Sequence, residues 1–260
     1  MSEPMIIAER SQGIAWLTLN RPEARNSLSL EFMAAIQAEL DSIAEDPEVR
    51  VVVLAANGKA FSAGHDLKEL ACLGDQAHRP LFDACSRIML TLRNLRQPVI
   101  ASVHAMATAA GCQLVASCDL AVASQSARFA TPGVNIGLFC STPMVALSRN
   151  VPAKKAMSML LTGEAISADD ALANGLVSEV VADEELTERV IALARLLASK
   201  PAPVLALGKA AFYRQLELGE AEAYDFTAQV MADNLKAPDA KEGIGAFIEK
   251  RPPVWTQDQD

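Results

Sequence analysis

The chain has 260 residues, of which 51% are hydrophobic, so it can bury a large core as one domain or as one domain with an appendage. Its formal net charge of −9 disfavours nucleic-acid and anionic-membrane partners, because phosphate groups bind to basic surfaces. The five cysteines include no CxxC pair and no apolar run reaches a membrane span, so we expect a reduced, cytoplasmic protein without a metal site.

No targeting pattern is recognisable in residues 1–12, which lack a signal-peptide core and an Arg-rich transit sequence. Strands then alternate with helices over the first half of the chain. The predicted strands, which are short apolar or β-branched runs, are residues 6–9, 14–19, 51–56, 99–103 and 120–123. The predicted helices, with apolar residues at helical spacing, are residues 29–46, 81–95 and 111–117. This alternation predicts parallel βαβ units. The loop at residues 20–26 is expected to expose its two arginines.

The second half is predicted to be mainly helical. Its helices are residues 141–150, 153–161, 168–174, 184–199, 204–218, 220–235 and 239–250, with one strand at 177–181. A proline-rich break at 200–203 divides the chain into a mixed core, residues 1–200, and a helical C-terminal region, residues 201–260.

Two stretches of small residues lead from a strand into a helix start. The first runs from Gly58 to Leu67 with Asp66 as the helix cap, and the second is Ala109-Ala110-Gly111, where a ligand can approach the backbone closely. Backbone N–H groups at a helix start lack intrahelical partners and favour an anionic oxygen. If the two turns face each other, they form an oxyanion hole for a thioester carbonyl that becomes an enolate or a tetrahedral anion.

Five segments match one known family in order and spacing. They are residues 19–26, 60–67, 111–120, 162–171 and 242–250. Together they resemble the enoyl-CoA hydratase/isomerase (crotonase) superfamily, and residues 129–143 are most similar to its "enoyl-CoA hydratase domain-containing" subgroup. The resemblance implies an α/β fold built as a spiral of ββα units, with a helical C-terminal region that builds homotrimers, often paired into hexamers.

The resemblance also implies a coenzyme A thioester as the substrate and no prosthetic group. The two N–H donors of the oxyanion hole would be those of His65 and Ala110, with His65 acting mainly through its backbone. The implied coenzyme A contacts are Ala24, Arg25, Ala63, Gly64, Asp66, Leu67, Phe247 and Lys250. Arg25 would meet a phosphate, and in some members of the family the tail positions reach the nucleotide of a neighbouring subunit.

The positions of the two catalytic glutamates are changed. Hydratases of the family use these glutamates to activate water and to protonate Cα, and here the positions hold Gln113 and Gly133. An amide does not exchange protons at neutral pH and glycine has no side chain, so each loss costs roughly 10²- to 10⁴-fold. We therefore expect weak hydration of enoyl-CoA. The single-glutamate isomerases also use the second position, so their route is affected equally.

Asn135, Cys140 and Ser141 are the candidates to replace the missing groups. A thiol at a helix entrance can have a lowered pKa, and residues 141–143 are a plausible helix start. The segment also resembles the methylmalonyl-CoA decarboxylase branch, whose tyrosine falls near Cys140. The alternatives are therefore an acyl-CoA decarboxylase, a thioesterase or a non-catalytic CoA-binding protein. Clp-type serine proteases share the fold, but no serine here has a persuasive histidine partner.

Several residues have a structural interpretation beside a functional one. Asp66 is more typical of a helix cap than of a base, and His104 and Asp119 are typical of structural positions at strand ends. Five bulky side chains either line an acyl pocket or belong to the core: Phe82, Met89, Met106, Phe139 and Met144.

Overall fold

Two sheets form the centre of the computed structural model, which describes residues 3–258. The strands are β1 (Ile6–Ser11), β2 (Ile14–Leu19), β3 (Val51–Ala56), β4 (Ala60–Ser62), β5 (Val99–Val103), β6 (Met106–Thr108), β7 (Leu120–Ser124), β8 (Arg128–Ala130), β9 (Ile166–Ser167) and β10 (Glu179–Val181). The larger sheet has the order β1-β2-β3-β5-β7-β10 and the smaller one β4-β6-β8-β9. Among these ten strands, the pairs β1–β2 and β8–β9 are antiparallel and the other pairs are parallel.

Helices surround both sheets. They are α1 (Leu30–Glu45), α2 (Leu67–Cys72), α3 (Asp75–Asn94), α4 (Ala110–Ser117), α5 (Pro143–Asn150), α6 (Ala153–Thr162), α7 (Ala168–Ala173), α8 (Leu186–Ala198), α9 (Ala202–Gln215), α10 (Glu220–Asn234) and α11 (Pro238–Glu249). Short 3₁₀ helices lie at residues 22–24, 132–136, 183–185 and 256–258. The predicted α/β class with parallel strands is confirmed.

From β3 to β8, consecutive strands alternate between the two sheets. The pairs β3–β4, β5–β6 and β7–β8 each contribute one strand to the larger sheet and the next strand to the smaller one. A helix follows β4 and β6, so the repeating unit is the expected ββα spiral. The strands of the smaller sheet were not predicted from the sequence, because none is longer than three residues.

The central strands are buried on both faces, which explains their continuous apolar sequences. In β3, Val52 and Leu54 point into the main core with α1 and α3, whereas Val51 and Val53 pack against α8 on the opposite face. This alternation is the period of two expected for a strand. It places the carboxyl end of β3 where the chain enters the first of the two glycine- and alanine-rich turns.

Some predicted element boundaries are wrong. The α3 helix begins at Asp75 and continues through Pro80, whereas we expected a start at residue 81. The α5 helix begins at Pro143 rather than at residue 141, and β10 begins at Glu179 rather than at residue 177.

A buried polar cluster attaches α9 to the core. The Nζ of Lys209 lies 2.6 Å from a carboxylate oxygen of Asp119 and also donates to the carbonyl oxygens of Leu92 and Gln97. The hydroxyl of Tyr213 donates to Asp119 at 2.8 Å. This supports the structural interpretation of Asp119, because the carboxylate oxygen that faces Lys209 also accepts from the Val99 N–H at the start of β5.

From α9 onward, the helical region exposes large apolar side chains. They include Phe212, Tyr224, Met231, Leu235, Ile244, Phe247 and Ile248. The division of the chain at residue 200 into a core and an oligomerisation region stays a prediction.

Within residues 3–258, no single helix is long and apolar enough to cross a membrane. Only residues 183–198 and 202–215 taken together reach such a length and composition, and they are bent by 101°.

Candidate active site

The first turn connects β4 to α2 and is fixed by the backbone. The Leu28 N–H donates to the Gly64 carbonyl at 2.8 Å, and the Asp66 N–H donates to the Leu28 carbonyl at 3.1 Å. Asp66 caps α2 by accepting from the N–H groups of Lys68 and Glu69, as its capping role predicted. The N–H of His65 makes no hydrogen bond with any residue that the structure describes.

The second turn connects β6 to α4 and is held in an unusual conformation. Ala109 has φ 49° and ψ −117°, which is a region that favours glycine, and its N–H donates to the Ala130 carbonyl at 2.9 Å. A non-glycine residue held there costs about 1–3 kcal/mol, so the surroundings must enforce it. The next N–H, that of Ala110 at the start of α4, has no hydrogen-bond acceptor among residues 3–258.

The two turns lie in direct contact. Gly64 has φ +85°, and a Cβ there would lie 2.9 Å from the Ala109 Cβ and 3.2 Å from the Ala110 nitrogen. A Cβ at Gly111 would lie 2.3 Å from the Ser62 carbonyl oxygen, so α4 packs directly on β4 at this point. From the sequence, Gly111 was expected to let a ligand approach the backbone. In the structure it lets the backbone of α4 approach the backbone of β4. This contact places the unbonded N–H groups of His65 and Ala110 on adjoining turns.

A cavity of about 610 Å³ opens beside these turns. It is lined by Ala63, His65, Leu67, Leu70, Phe82, Ala109, Pro132, Gly133, Asn135, Ile136, Gly137, Leu138, Phe139, Cys140, Ser141, Thr142 and Pro143. Of the five bulky residues considered for an acyl pocket, Phe82 and Phe139 line it. Met89 is instead buried in the core, and Met106 and Met144 lie outside the lining.

The cavity lining contains no Asp, Glu, Lys or Arg. Its titratable side chains are His65 and Cys140. Burial lowers the pKa of the His65 imidazole from 6.5 to about 4, because desolvation penalises the charged ring. The ring contacts Phe82 edge to face at 5.2 Å, and its Nε2 has no hydrogen-bond partner within the described chain. His65 is therefore neutral at pH 7.

Gln113 lies one turn into α4 and is only 4% exposed. Its carboxamide makes no hydrogen bond with any described residue, and Oε1 is fully buried. Thr131, which follows β8 and is fully buried, also has an unpartnered hydroxyl oxygen. Buried polar groups without partners are rare in proteins. Thr131 was missed from the sequence, where the only signal is a polar residue that ends an apolar run before Pro132.

Gly133 lies against the loop that follows it. A Cβ at this position would lie 2.5 Å from the Leu138 carbonyl oxygen and 2.9 Å from the Sγ of Cys140. Cys140 is 7% exposed, and burial raises the pKa of its thiol, although the Gly133 N–H opposes this shift. The lowered pKa expected for a helix entrance is therefore wrong, because desolvation outweighs the local dipole. Ser141 is exposed, and its hydroxyl donates to the Phe139 carbonyl at 3.4 Å.

The loop at residues 20–29 is joined to the first turn. The Ala63 N–H donates to the Arg25 carbonyl at 3.0 Å, and the buried Asn26 amide donates to the carbonyls of Asn57 and Ala60. Asn26 was not singled out from the sequence. This junction brings Ala24 and Arg25 next to the turn that carries Gly64 and His65.

The two arginines of this loop differ, although both were expected to be exposed. Arg21 is half-buried and bonds to the Ser27 carbonyl and the Ser29 hydroxyl, with its guanidinium 3.7 Å from Asp66. Arg25 is exposed, with φ +53°, and its side chain has no partner among the described residues.

The predicted tail residues lie apart from the cavity of their own chain. Phe247 is 85% exposed on α11 and Lys250 is the exposed residue that ends this helix, and neither lines the cavity. In the part of the chain that the structure describes, no group of three His, Cys, Asp or Glu side chains could hold a metal ion.

Comparison with known proteins gives consistent matches over the whole chain. A family model described as "Enoyl-CoA hydratase/isomerase" matches residues 9–259. Human "Enoyl-CoA hydratase domain-containing protein 3, mitochondrial" is 50% identical over 99% of this chain and 86% of its own length. A "Probable enoyl-CoA hydratase" of Rhizobium meliloti is 36% identical over 96% of this chain and 97% of that protein.

Solved structures match equally well. The crystal structure of an enoyl-CoA hydratase from Mycobacterium smegmatis aligns with a TM-score of 0.95 at 52% identity, covering 97% of this chain and 99% of that one. The crystal structure of the human domain-containing protein 3 aligns with a TM-score of 0.93 at 49% identity, covering 97% of this chain and 100% of that one.

The relatives correct the expected location. Five vertebrate relatives, 46–50% identical, carry the word mitochondrial in their names. They contradict the cytoplasmic prediction and point to mitochondria. The prediction was wrong because free cysteines do not distinguish one reducing compartment from another.

Proposed function

The chain belongs to the enoyl-CoA hydratase/isomerase family, and we propose that its cavity binds an acyl-CoA thioester with the carbonyl oxygen between the N–H groups of His65 and Ala110. Members of this family act on coenzyme A thioesters without a prosthetic group. The observation that carries the proposal is the pair of unbonded N–H groups on adjoining turns beside an uncharged cavity. Isothermal calorimetry with a saturated acyl-CoA tests it, and absence of binding would contradict it.

The two N–H groups would stabilise negative charge that develops on the thioester oxygen. Both are fixed by backbone geometry before the substrate arrives, so no reorganisation is needed when charge develops. The α4 helix begins at Ala110 and adds the positive end of its dipole. The cavity lining carries no charged side chain to compete for the oxygen, and its apolar walls strengthen each hydrogen bond.

Coenzyme A would lie along the loop that carries Ala24 and Arg25. The bond between Ala63 and the Arg25 carbonyl supports this path, because it joins the loop to the turn that leads to His65. The guanidinium of Arg25, which has no partner among residues 3–258, would meet a phosphate. The exposed Leu67 would contact the pantetheine arm near the cavity mouth.

Hydration of a C2–C3 double bond is expected to be weak. Gln113 does not exchange protons at neutral pH, Gly133 has no side chain, and no carboxylate lines the cavity. The loss of enone absorbance of crotonyl-CoA measures the reaction directly. Turnover at the rate of an ordinary hydratase, with kcat in the range of about 1–10³ s⁻¹, would contradict this part of the proposal.

The lack of a carboxylate base favours one alternative reaction. Loss of CO₂ from a malonyl-type thioester forms the enolate without any base, so it needs only the two N–H groups and a proton donor. Release of CO₂ from malonyl-CoA or methylmalonyl-CoA is the measurement that distinguishes it from hydration. Release of free thiol without CO₂ would instead indicate a thioesterase.

The exposed apolar side chains of α10 and α11 support assembly into a homotrimer or a dimer of trimers. Tyr224, Met231, Phe247 and Ile248 are more than half exposed in the single chain, which is unusual for a monomer. In such an assembly Phe247 and Lys250 would reach a neighbouring subunit's coenzyme A. Sedimentation equilibrium distinguishes the monomer, the trimer and the hexamer.

A further inference from the structure

We propose that the thiol of Cys140 is the proton donor of this site and delivers its proton to the α-carbon of a thioester enolate. The inference rests on the proposed function, because the enolate exists only if the acyl group binds beside His65 and Ala110.

The sulfur of Cys140 lies beside the point at which a side chain on Gly133 would begin. The distance from a Gly133 Cβ to this Sγ would be 2.9 Å, and the Leu138 carbonyl oxygen would lie 2.5 Å from the same point. The loop from Gly133 to Cys140 therefore fills the space that a longer side chain would need. It brings the thiol to the cavity wall in place of that side chain.

His65 and Ser141, which also line the cavity, are less suited to give up a proton. The buried imidazole of His65 is neutral at pH 7, so it lacks the proton of an imidazolium. The Ser141 hydroxyl is exposed and donates to the Phe139 carbonyl. The thiol of Cys140 is protonated, because burial raises its pKa, and the Gly133 N–H faces the sulfur and stabilises the thiolate left behind.

A second observation is that unpartnered polar atoms lie in the cavity wall and in the elements beside it. Four buried polar side-chain atoms lack a partner in residues 3–258, and three of them belong to His65, Gln113 and Thr131. His65 lines the cavity itself. Gln113 is more than nine-tenths buried on α4, one turn beyond the lining residue Ala109, and the Gln113 N–H donates to the Ala109 carbonyl at 3.0 Å. A site that leaves polar atoms unpaired when empty is typical of one that a polar ligand completes.

The proton transfer balances without a further reactant. The S–H bond of Cys140 breaks and a C–H bond forms at the α-carbon, while the enolate collapses to the thioester carbonyl. The S–H electron pair remains on sulfur as a thiolate, which the Gly133 N–H stabilises. Water then returns a proton to the sulfur and leaves hydroxide to the solvent. In reverse, the thiolate removes an α-proton.

Exchange of α-protons for deuterium tests the inference without knowledge of the natural acyl group. The protein is incubated with butyryl-CoA in D₂O, and deuterium at the α-carbon is measured by mass spectrometry. Cys140→Ala should reduce the exchange rate about 10²-fold or more, and Cys140→Ser should retain part of it. Cys85→Ala, which removes another buried thiol, on α3 and outside the cavity lining, should exchange as the unmodified protein does.

The outcomes separate this inference from the proposed function. Exchange in Cys140→Ala within twofold of the unmodified protein would overturn the role of the thiol, and so would bound butyryl-CoA that never exchanges. Failure of butyryl-CoA to bind at all would overturn the proposed function itself. Calorimetry with butyryl-CoA on each variant shows whether the variant still binds. A variant that binds but does not exchange has lost the proton transfer and not its fold.

Discussion

The position of a side chain on Gly133 is occupied by the carbonyl oxygen of Leu138, which would lie 2.5 Å from its Cβ. The missing second glutamate is therefore not a simple substitution in an unchanged site. The following loop has taken its place, and the space that the carboxylate would cross is filled by main chain and by Cys140.

Restoring both glutamates should consequently fail to restore hydration. We expect Gln113→Glu with Gly133→Glu to show no ordinary turnover of crotonyl-CoA and to lose about 1–3 kcal/mol of unfolding free energy, because position 133 is overpacked. Gln113→Glu alone should fold and lose less unfolding free energy than the double variant. Enone absorbance and urea unfolding measure the two effects. A double variant with hydratase-like kcat would show that the loop moves aside easily.

Gly64 should be essential for acyl-CoA binding. Its φ of +85° disfavours any other residue, and a Cβ would press on Ala109 and the Ala110 nitrogen. Gly64→Ala should lose about 1–3 kcal/mol of stability and weaken acyl-CoA binding at least tenfold. Gly74→Ala is the matched control, because nothing lies within 4 Å of its Cβ position. Equal affinities of the two variants in calorimetry would contradict the contact between the turns.

His65 should act through its backbone in binding and through its ring in acid stability. Its pKa in the folded protein, about 4, lies below the ordinary value of 6.5, so the unfolded chain binds the proton first as the pH falls. The free energy of unfolding is therefore highest above pH 6.5 and falls by up to about 3 kcal/mol between pH 6.5 and pH 4.

His65→Gln keeps the N–H and removes this titration. Acyl-CoA affinity should stay within about threefold, whereas the loss of stability between pH 7 and pH 4.5 should be smaller by about 2 kcal/mol. Urea unfolding at the two pH values is the measurement. Identical pH dependence in the variant and the unmodified protein would show that the ring is not kept from water.

Arg25 should contribute to coenzyme A binding through a phosphate. Arg25→Gln is expected to weaken acyl-CoA binding about tenfold, while an acyl-pantetheine, which has no nucleotide phosphates, should bind both proteins equally. Arg79→Gln is the control, because Arg79 is exposed on α3 and pairs with Asp83. If both ligands lose affinity equally with Arg25→Gln, the loop conformation and not the charge is responsible.

The buried pair of Asp119 and Lys209 should stabilise the attachment of α9. Lys209→Met leaves the Asp119 carboxylate without its cation, at a cost of about 3–5 kcal/mol. Lys209→Met combined with Asp119→Asn should cost less than the sum of the single changes, because no buried charge remains. Urea unfolding of the unmodified protein, the two single variants and the double variant completes a double-mutant cycle. Additive losses of unfolding free energy would contradict a coupling between Asp119 and Lys209.

The site was predictable where local sequence determines it. The cap at Asp66 and the small-residue turns that carry His65 and Ala110 depend on a few neighbouring residues. The strands β4, β6 and β8 were not predictable, since three residues carry no period and these strands exist through long-range pairing. The pKa of Cys140 was predicted to be lowered and is raised, again because a long-range effect dominates. The helix entrance is local, whereas the burial that dominates comes from tertiary packing.

The alternation of consecutive strands between two sheets has a consequence for folding. Neither sheet is built from one continuous stretch of sequence, so neither can serve as a half-molecule that folds before the other. Closing both sheets requires contacts between residues far apart in the chain, which predicts slow folding in a single cooperative step. The paired N–H groups follow β4 and β6, two neighbouring strands of the smaller sheet, and one of them begins α4. The two N–H groups therefore come together only when that step is complete. No partly folded form of this chain would bind the thioester that we propose as its ligand.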